Sequence, residues 1–334
     1  MLSKRIAIDL GTANSLVWLA GKGMIVNEPT VVAVRIDDGQ VIEVGNAAKD
    51  MLGKTPGNIR ASRPMREGVI ADYKVTRALL TYFIQRVCGR FFLFKPEVMV
   101  CVPAGVTQVE RRAVLDATLS AGAKTAYLID EPLAAAIGAK LPIASASGNM
   151  IMDIGGGSAE AAVISLGGVV THKSVRVAGN KVDEAIIAYM KRRHNLLIGE
   201  TTAEEVKIRI GSATVLAPEE AMEVKGRDVV TGLPRAMAIT STEITEAIRS
   251  VLLQIVGAAR GVLEQTPPEL ASDIIDKGIV MSGGTSLLRN LDRLMTELTG
   301  VPCHVADEPL LCVVRGTGVA IENLDLYKKS VTRR

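Results

Sequence analysis

Two apolar runs joined by three consecutive glycines, at residues 149–165, constrain the fold of this chain most strongly. The run NMIMDI contains Asp153, the glycines follow, and SAEAAVIS continues as a second apolar run. Because both runs have the composition of strands, the stretch predicts a β-hairpin whose tip is almost bare backbone. Gly155, Gly156 and Gly157 lack Cβ atoms, so they can reach positive φ and let successive N–H groups converge on an anion.

The acidic residue before this tip, Asp153, leads to two interpretations. A carboxylate beside a phosphate needs a divalent cation between them, and Mg²⁺ binds carboxylates, phosphate oxygens and waters. The functional interpretation is therefore a phosphate loop with a metal-tethering aspartate. The alternative is a glycine-rich turn with a structural role only.

A second copy of this layout lies at residues 4–19, KRIAIDLGTANSLVWL. Asp9 follows an apolar run, the tip consists of Gly11, Thr12, Ala13 and Asn14, and another apolar run follows. One such hairpin in each half of the chain predicts two similar domains with a nucleotide held between them, since ligand sites favour domain interfaces.

Composition is consistent with a globular protein of two domains. The chain has 334 residues, of which 48% are hydrophobic and 22% are charged. A net charge of +3 with scattered Lys and Arg argues against nucleic acid as a partner. No apolar run approaches the roughly 18 residues that a membrane span needs. Because a strand is predicted to begin within a few residues of Met1, we expect no signal peptide.

The cysteines and histidines do not have the spacing of a zinc site. We expect reduced, buried thiols in a cytoplasmic protein. The residues concerned are Cys88, Cys101, Cys303, Cys312, His172, His194 and His304.

An apolar cluster at residues 91–94, FFLF, lies between a predicted amphipathic helix and a predicted strand, with Arg90 and Lys95 on either side. It contains three of the four phenylalanines of the chain. Connections of this kind normally run over the surface and are polar. Two interpretations stay open on the residues alone: the loop folds back into the core, or its rings enter a bilayer interface with the cations at anionic head groups.

The DEP sequence at residues 130–132 follows a short predicted strand and begins an alanine-rich helix. Pro132 fits the first helical turn, which places Glu131 at the start of the helix. Either Asp130 and Glu131 cap the helix and oppose its dipole, or Glu131 orients a water for attack on a phosphate.

Further along the chain, Thr201 and Glu204 have the spacing of a capping box. Glu204 and Lys207 share a helix face, where they either pair with each other or contact a ribose or base. The sequence IVMSGGTSLL at residues 279–288 predicts a third strand and glycine turn, with Gly283 and Gly284 at a helix N-terminus. The sequence RGTG at residues 315–318 predicts a turn before a final helix over 319–327.

Taken together and in this order, these motifs resemble the actin-like ATPase superfamily, and more closely its MreB/Mbl family of bacterial actins. The resemblance covers essentially the whole chain. The motifs that carry it are IDLGTAN, EPTVVAV, TPGNI, EGVIADYKVT, DEPLAAAIGA, DIGGGS, AGNKVDEAI, IGETTAEEVKIRIGSA, RDVVTGLPR, TPPELASDI and SGGTSLLRNLD.

The resemblance implies an α/β actin-like ATPase fold. Two similar RNase H-like domains, each a mixed five-stranded sheet with a smaller inserted subdomain, enclose a nucleotide in the cleft between them. The expected domain I comprises residues 1–147 and 315–334 with an insertion at about 29–67. The expected domain II comprises residues 148–314 with an insertion at about 180–245.

The resemblance also implies roles for individual residues. Asp9 and Asp153 would hold Mg²⁺ largely through waters, and Glu131 would position the lytic water, with Ser158 as a second catalytic residue. Residues 91–94 would enter the inner face of the cytoplasmic membrane: Phe91, Phe92, Leu93 and Phe94. ATP would be contacted by Thr12, Ala13, Asn14, Gly155, Gly156, Gly157, Ser158, Glu204, Lys207, Gly283, Gly284 and Thr285.

The implied function is ATP hydrolysis coupled to the assembly of filaments, with paired protofilaments, at the inner face of the cytoplasmic membrane. The implied partners are other copies of the chain, the membrane and membrane proteins of cell-wall elongation, and the implied role is rod shape. A small-molecule kinase of the same superfamily is the alternative. It would need a base for the acceptor hydroxyl, and no Asp with that context stands out beyond Glu131.

Two motifs depart from the family pattern. The sequence GGGSAE replaces GGGTT or GGGTD, so that Ser158 stands for a threonine and Ala159 removes a second hydroxyl. A serine has a freer χ1 angle than a threonine, so its positioning is looser. Asn180 in AGNK replaces an aspartate and removes a negative charge near the cleft. We expect nucleotide binding to survive both changes, with the larger effect on the rate of hydrolysis.

Overall fold

The computed structural model describes residues 3–66, 68–89 and 94–334, and two large β-sheets organise it. The strands before residue 148 are β1 (Arg5–Leu10), β2 (Asn14–Leu19), β3 (Gly23–Pro29), β4 (Val32–Arg35), β5 (Val41–Val44), β6 (Ile59–Ser62), β7 (Met65–Arg66), β8 (Val69–Ile70), β9 (Glu97–Val102) and β10 (Thr125–Asp130). The helices of this part are α1 (Asn46–Asp50), α2 (Tyr73–Cys88), α3 (Gln108–Ser120) and α4 (Glu131–Gly138).

The later strands are β11 (Asn149–Ile154), β12 (Ala159–Ser165), β13 (Gly168–Val175), β14 (Leu196–Leu197), β15 (Ala221–Asp228), β16 (Pro234–Thr240), β17 (Ile279–Ser282), β18 (Cys303–Val305) and β19 (Val331–Arg333). The later helices are α5 (Gly179–His194), α6 (Glu200–Ile210), α7 (Ser241–Leu263), α8 (Pro268–Lys277), α9 (Leu291–Thr299), α10 (Cys312–Glu322) and α11 (Leu324–Tyr327), with 3₁₀ turns at Gly284–Leu287 and Pro309–Leu311.

Sheet I has the order β19-β10-β9-β1-β2-β3, and sheet II has the order β13-β12-β11-β17-β18. Both sheets are mixed: β1 pairs antiparallel with β2 and parallel with β9, while β11 pairs antiparallel with β12 and parallel with β17. The two predicted glycine-turn hairpins are therefore equivalent elements of two similar sheets. We call sheet I with its helices half I, and sheet II with its helices half II.

The expectation of five strands in each sheet is correct for sheet II and wrong for sheet I. The sixth strand of sheet I is β19, which pairs antiparallel with β10 and places Thr332 opposite Leu128. The smaller sheets β4-β5-β6 and β14-β15-β16 fall in the segments expected to be insertions. The exact domain boundaries given above stay a prediction.

The strands next to the glycine turns are buried on both faces, which explains their continuous apolar runs. In β1, Ile6 and Ile8 face the core formed with α2 and α3, whereas Ala7 faces the core formed with α4 and α10. In β11, Met150 packs toward α5 and α7, and Ile151 joins the same core as Ala7. The helices α4 and α10 thus pack in one core with strands of both sheets.

The predicted turn at residues 315–318 is wrong, because these residues lie inside α10. A Cβ on Gly316 would overlap the carbonyl oxygen of Ala134 in α4, and a Cβ on Gly138 would overlap the carbonyl oxygen of Cys312. Glycine is required at these positions because α4 and α10 approach each other closely. From the sequence alone, the same glycines are easily mistaken for the residues of a turn.

Several helix ends agree with their sequence signals. Thr107 and Glu110, which have the sequence spacing of a capping box, form one at the start of α3 with both reciprocal bonds. Asp72 caps α2 by accepting from the Val75 N–H. Within the described ranges, no helix combines the length and the apolar character needed to cross a bilayer.

Candidate functional site

A cavity of about 410 Å³ lies between the two halves of the molecule. Its size is within the range usual for small-molecule sites. The structure brings into this one cavity every residue predicted to bind nucleotide or metal or to act in catalysis: Asp9, Thr12, Ala13, Asn14, Glu131, Asp153, Gly155, Gly156, Gly157, Ser158, Glu204, Lys207, Gly283, Gly284 and Thr285.

The two aspartates stand at equivalent places, each one residue before the end of the first strand of its hairpin. Asp153 accepts a hydrogen bond from Ser282 Oγ at 2.6 Å, and Asp9 accepts one from Cys101 Sγ at 3.3 Å. Burial, and then the charge of Asp153, raises the pKa of Asp9 to about 7. Burial raises the pKa of Asp153 to about 6. Two buried carboxyl groups whose ionised forms are disfavoured in this way are suited to share a divalent cation.

The glycine tip of half II touches the tip of half I directly. A Cβ on Gly157 would overlap Thr12 Oγ1, and a Cβ on Gly156 would lie 2.7 Å from the Ala13 Cβ. Thr12 Oγ1 also accepts from the Gly68 N–H at 3.1 Å. The sequence predicts that residues 155–157 are able to reach positive φ, and none of them adopts it in the structure. At Gly156 and Gly157 the two tips approach each other too closely for a side chain.

This contact leads to a prediction for Gly157→Ala. The new methyl group must push the two tips apart, so we expect a loss of about 1 to 3 kcal/mol in the free energy of unfolding, as for other overpacked sites. Chemical denaturation monitored by circular dichroism measures this loss.

The matched control is Gly155→Ala in the same tip, where the nearest atom to the new Cβ is Ser158 O at 3.4 Å, an ordinary contact. We expect this variant to unfold close to the unmodified protein. Equal stability of the two variants would contradict a close approach at Gly157.

The residues predicted to surround ribose and base make different contacts from those expected. The capping box at Thr201 is wrong, because α6 begins at Glu200 after Gly199 and has no side-chain cap. Glu204 and Lys207 do not pair with each other either. Glu204 accepts from Lys49 Nζ of α1 at 3.0 Å, and Lys207 Nζ lies 2.8 Å from Asp183 Oδ1.

The third glycine turn supports the tip of half II. Gly283 has φ of +81°, and Thr285 Oγ1 donates to the Gly155 carbonyl at 2.7 Å. Several residues that were not predicted from the sequence also line the cavity: Leu16, Asn27, Gly179, Ile208, Arg289, Pro309 and Leu310. Most are apolar or small and carry no signal of their own in the sequence.

Glu131 begins α4, as predicted, with Pro132 in the first turn. The capping alternative fails for Asp130, whose side chain makes no cap bond and instead pairs with Arg111. Burial raises the pKa of Glu131 well above its usual range, and the strongest contribution from a neighbouring charge comes from Glu160. Glu131 is thus an acidic group fixed at the start of a helix, near Asp9 and Asp153, the two aspartates that are suited to bind a divalent cation.

The predicted membrane residues Phe91, Phe92 and Leu93 lie outside the described residues. Phe94 is 51% exposed, so at this position the alternative of folding back into the core is wrong.

Sequence comparison decides the family. A profile of the MreB/Mbl protein matches residues 3–329. The chain belongs to the MreB/Mbl family. The cell shape-determining protein MreB of Escherichia coli K12 is 52% identical over 332 residues, which cover 98% of this chain and 96% of that protein. The cell shape-determining protein Mbl of Bacillus cereus is 47% identical over 333 residues, covering all of both chains.

Solved structures place this MreB/Mbl family member in the actin-like fold. MreB5 of Spiroplasma citri, in structures bound to ADP and to AMPPNP, superposes with a TM-score of 0.92 at 37% identity, covering 98% of each chain. A MamK double helical filament superposes with a TM-score of 0.80 at 22% identity and supports the fold alone. The family and the fold class expected from the motifs are both confirmed.

Proposed function

We propose that this protein binds and hydrolyses ATP in the cavity between its halves and couples hydrolysis to the assembly of filaments. The observation that carries the proposal is the pair of equivalent aspartate turns facing each other across the cavity. Asp9 and Thr12 belong to one turn and Asp153 and Ser158 to the other, so a triphosphate between them would contact both halves. The MreB5 structures with ADP and AMPPNP support nucleotide as the ligand.

The donor set fits Mg²⁺ as the cofactor. The carboxylates of Asp9 and Asp153 act on each other electrostatically, and burial makes both costly to ionise, a combination that a divalent cation relieves. Mg²⁺ bound with a triphosphate neutralises phosphate charge and orients the terminal phosphate. In this proposal Thr12, Gly156 and Gly157 keep the phosphates close to bare backbone, and Glu131 orients the water.

Asp153→Asn tests the metal role. The amide keeps an acceptor for Ser282 Oγ and removes the charge, so we expect ATP affinity with Mg²⁺ to fall by about 10- to 100-fold. Without metal, affinity should change little. Titration of a fluorescent ATP analogue with Mg²⁺ and with EDTA measures both constants.

Asp273→Asn is the matched control for this substitution. Asp273 accepts from the Gly148 N–H at 2.7 Å, next to the opposite end of β11. It should bind nucleotide like the unmodified protein. Equal losses for Asp153→Asn in the two metal conditions would assign Asp153 a structural role only.

The proposed cellular role is a cytoskeletal filament that determines cell shape, located in the cytoplasm at the inner face of the cytoplasmic membrane. The names of the E. coli and B. cereus relatives support the shape role. Guidance of cell-wall synthesis through membrane proteins of cell-wall elongation is part of the proposal. ATP bridging both halves would favour the polymerising conformer, and hydrolysis would remove the contacts that hold it. Family membership favours this role over the small-molecule kinase alternative.

Electron microscopy of the purified protein with Mg²⁺ and ATP, with and without vesicles of anionic lipid, tests the proposal. We expect paired protofilaments with ATP, bound to vesicles where these are present, and dispersed protein without nucleotide. Nucleotide-independent filaments would remove the coupling, and ATP-dependent phosphorylation of a small molecule without filaments would favour the kinase.

A further inference from the structure

Glu160 is a buried carboxyl group between the two halves that the site described above does not use. It lies in β12, two residues after Ser158, and its exposure is 1%. The atom Glu160 Oε1 makes no hydrogen bond of good geometry, although buried carboxylate oxygens are normally paired. The Ser174 side chain, opposite Glu160 in the register of β12 and β13, still lowers the pKa of Glu160 by hydrogen bonding. An acceptor in this situation is suited to receive a hydrogen bond from a bound molecule or water.

The second oxygen of the same group reaches across to half I. Glu160 Oε2 accepts from the Ala104 N–H at 2.9 Å. Ala104 comes shortly after the end of β9, whose neighbour β10 runs parallel and leads directly into Glu131. The register pairs Val102 with Asp130, so Ala104 and Glu131 both follow the same edge of sheet I. The Glu160 carboxyl is therefore anchored beside the start of α4.

Electrostatics supports the same neighbourhood. After burial, Glu160 is the group that most raises the pKa of Glu131. Pro103, one residue before Ala104, also lines a second cavity of about 280 Å³ together with Glu131. Glu160 of half II thus acts electrostatically on Glu131 of half I, and Glu131 lines the nucleotide cavity.

We propose that Glu160 is a second catalytic residue, which orients the attacking water through Oε1 while Oε2 stays fixed on the half I backbone at Ala104. This inference rests on the proposed ATP hydrolysis. In that step the water oxygen bonds to the γ-phosphorus, and the bond to the β,γ-bridging oxygen breaks with its electron pair on ADP. The proton that the water loses passes to one of the two carboxylates. The hydrogen bond from Ala104 to Glu160 joins the two halves. In this proposal the carboxyl groups of Glu131 and Glu160 therefore come together on the water when the halves are in contact.

Glu160→Gln separates the two functions of the side chain. The amide oxygen can still accept from the Ala104 N–H, but the amide nitrogen in place of Oε1 donates and cannot accept from water. We expect single-turnover ATP hydrolysis to fall by about 10- to 100-fold, the lower part of the range for a positioned acid–base group. ATP affinity should stay within about twofold, and ATP-dependent filaments should still form.

Glu110→Gln is the matched control at the same interface between the halves. Glu110 lies near Arg176 of half II at 3.6 Å, at the exposed rim, and glutamine can keep its capping box. This variant should hydrolyse ATP at the unmodified rate. Glu160→Asp, which keeps the charge but withdraws the carboxylate by one methylene, should be slow, and it provides the test if the glutamine variant does not fold.

Hydrolysis at the unmodified rate by Glu160→Gln, or by Glu160→Asp, would overturn the inference. Loss of ATP binding by folded Glu160→Gln would also overturn it, because Glu160 would then act on closure of the cleft and not on the water. The unmodified protein and Glu131→Ala are measured alongside. Absence of hydrolysis in the unmodified protein would refute the proposed ATPase itself, whereas hydrolysis that depends on Glu131 but not on Glu160 would refute the inference alone.

Discussion

Glu131→Ala should bind ATP normally and hydrolyse it at least about 100 times more slowly. The carboxylate stands at the fixed start of α4, and Pro132 and the packed alanines behind it leave that position unchanged in the variant. Only the orientation and proton acceptance of the attacking water are removed, and such groups contribute roughly 100-fold or more. Single-turnover phosphate release from preformed ATP complexes measures the effect.

A conservative change at the neighbouring acid provides the control. Asp130→Asn loses the ion pair with Arg111 but leaves the cavity lining unaltered. We expect its hydrolysis rate to stay close to that of the unmodified protein. If Glu131→Ala releases phosphate at the unmodified rate, Glu131 has no part in the mechanism.

Phe92→Ser combined with Phe94→Ser should abolish sedimentation of filaments with anionic vesicles. Each inserted ring would contribute about 1.5 to 3 kcal/mol if fully buried in the acyl interface, and partial insertion about half of that. A single subunit would therefore bind only marginally. Contacts repeated along a filament add up, so binding should require ATP-dependent assembly. Lys95 would add up to about 1 kcal/mol near anionic lipid, and added salt should screen this part.

The control is Leu326→Ser, which removes a side chain that is 78% exposed at a distant point of the sequence. It should leave vesicle binding unchanged. The double variant must keep its melting temperature, ATP affinity and filaments in solution. A melting temperature lowered by many degrees, or precipitation, would mean that Phe92 belongs to the core and that the loop is not the anchor.

The parts of the fold that could be predicted from sequence are those with strong local signals. The two Asp-containing hairpins are visible because strands buried on both faces are apolar throughout and the turns between them are small. The capping box at Thr107 and the proline at residue 132 also fix helix starts locally. Sheet pairing with β19 left no such signal, since three residues near the end of the chain cannot reveal their partner strand.

Long-range contacts explain the errors at the site. Thr201 and Glu204 have capping-box spacing, yet Glu204 forms an ion pair with Lys49. Lys49 is distant in the sequence and lies close to Glu204 only in the folded chain. Gly156 and Gly157 reflect contact with Ala13 and Thr12 in the other half of the chain. Glu160 did leave a signal that was not used: it is the one charged residue in the apolar run of β12.

The order of strands in sheet I has a consequence for synthesis of the protein on the ribosome. Sheet II is built from residues 149–305, so all its strands are available before the final helices are translated. Sheet I and its core need α10 and β19, which are translated after every strand of sheet II. During translation the first half would therefore keep part of its apolar surface uncovered after every strand of the second half has been made. The face of sheet II that packs on α10 would also stay uncovered until that helix is made. Half I, whose strands are the first to be translated, is therefore the half whose sheet is completed later, when β19 pairs with β10.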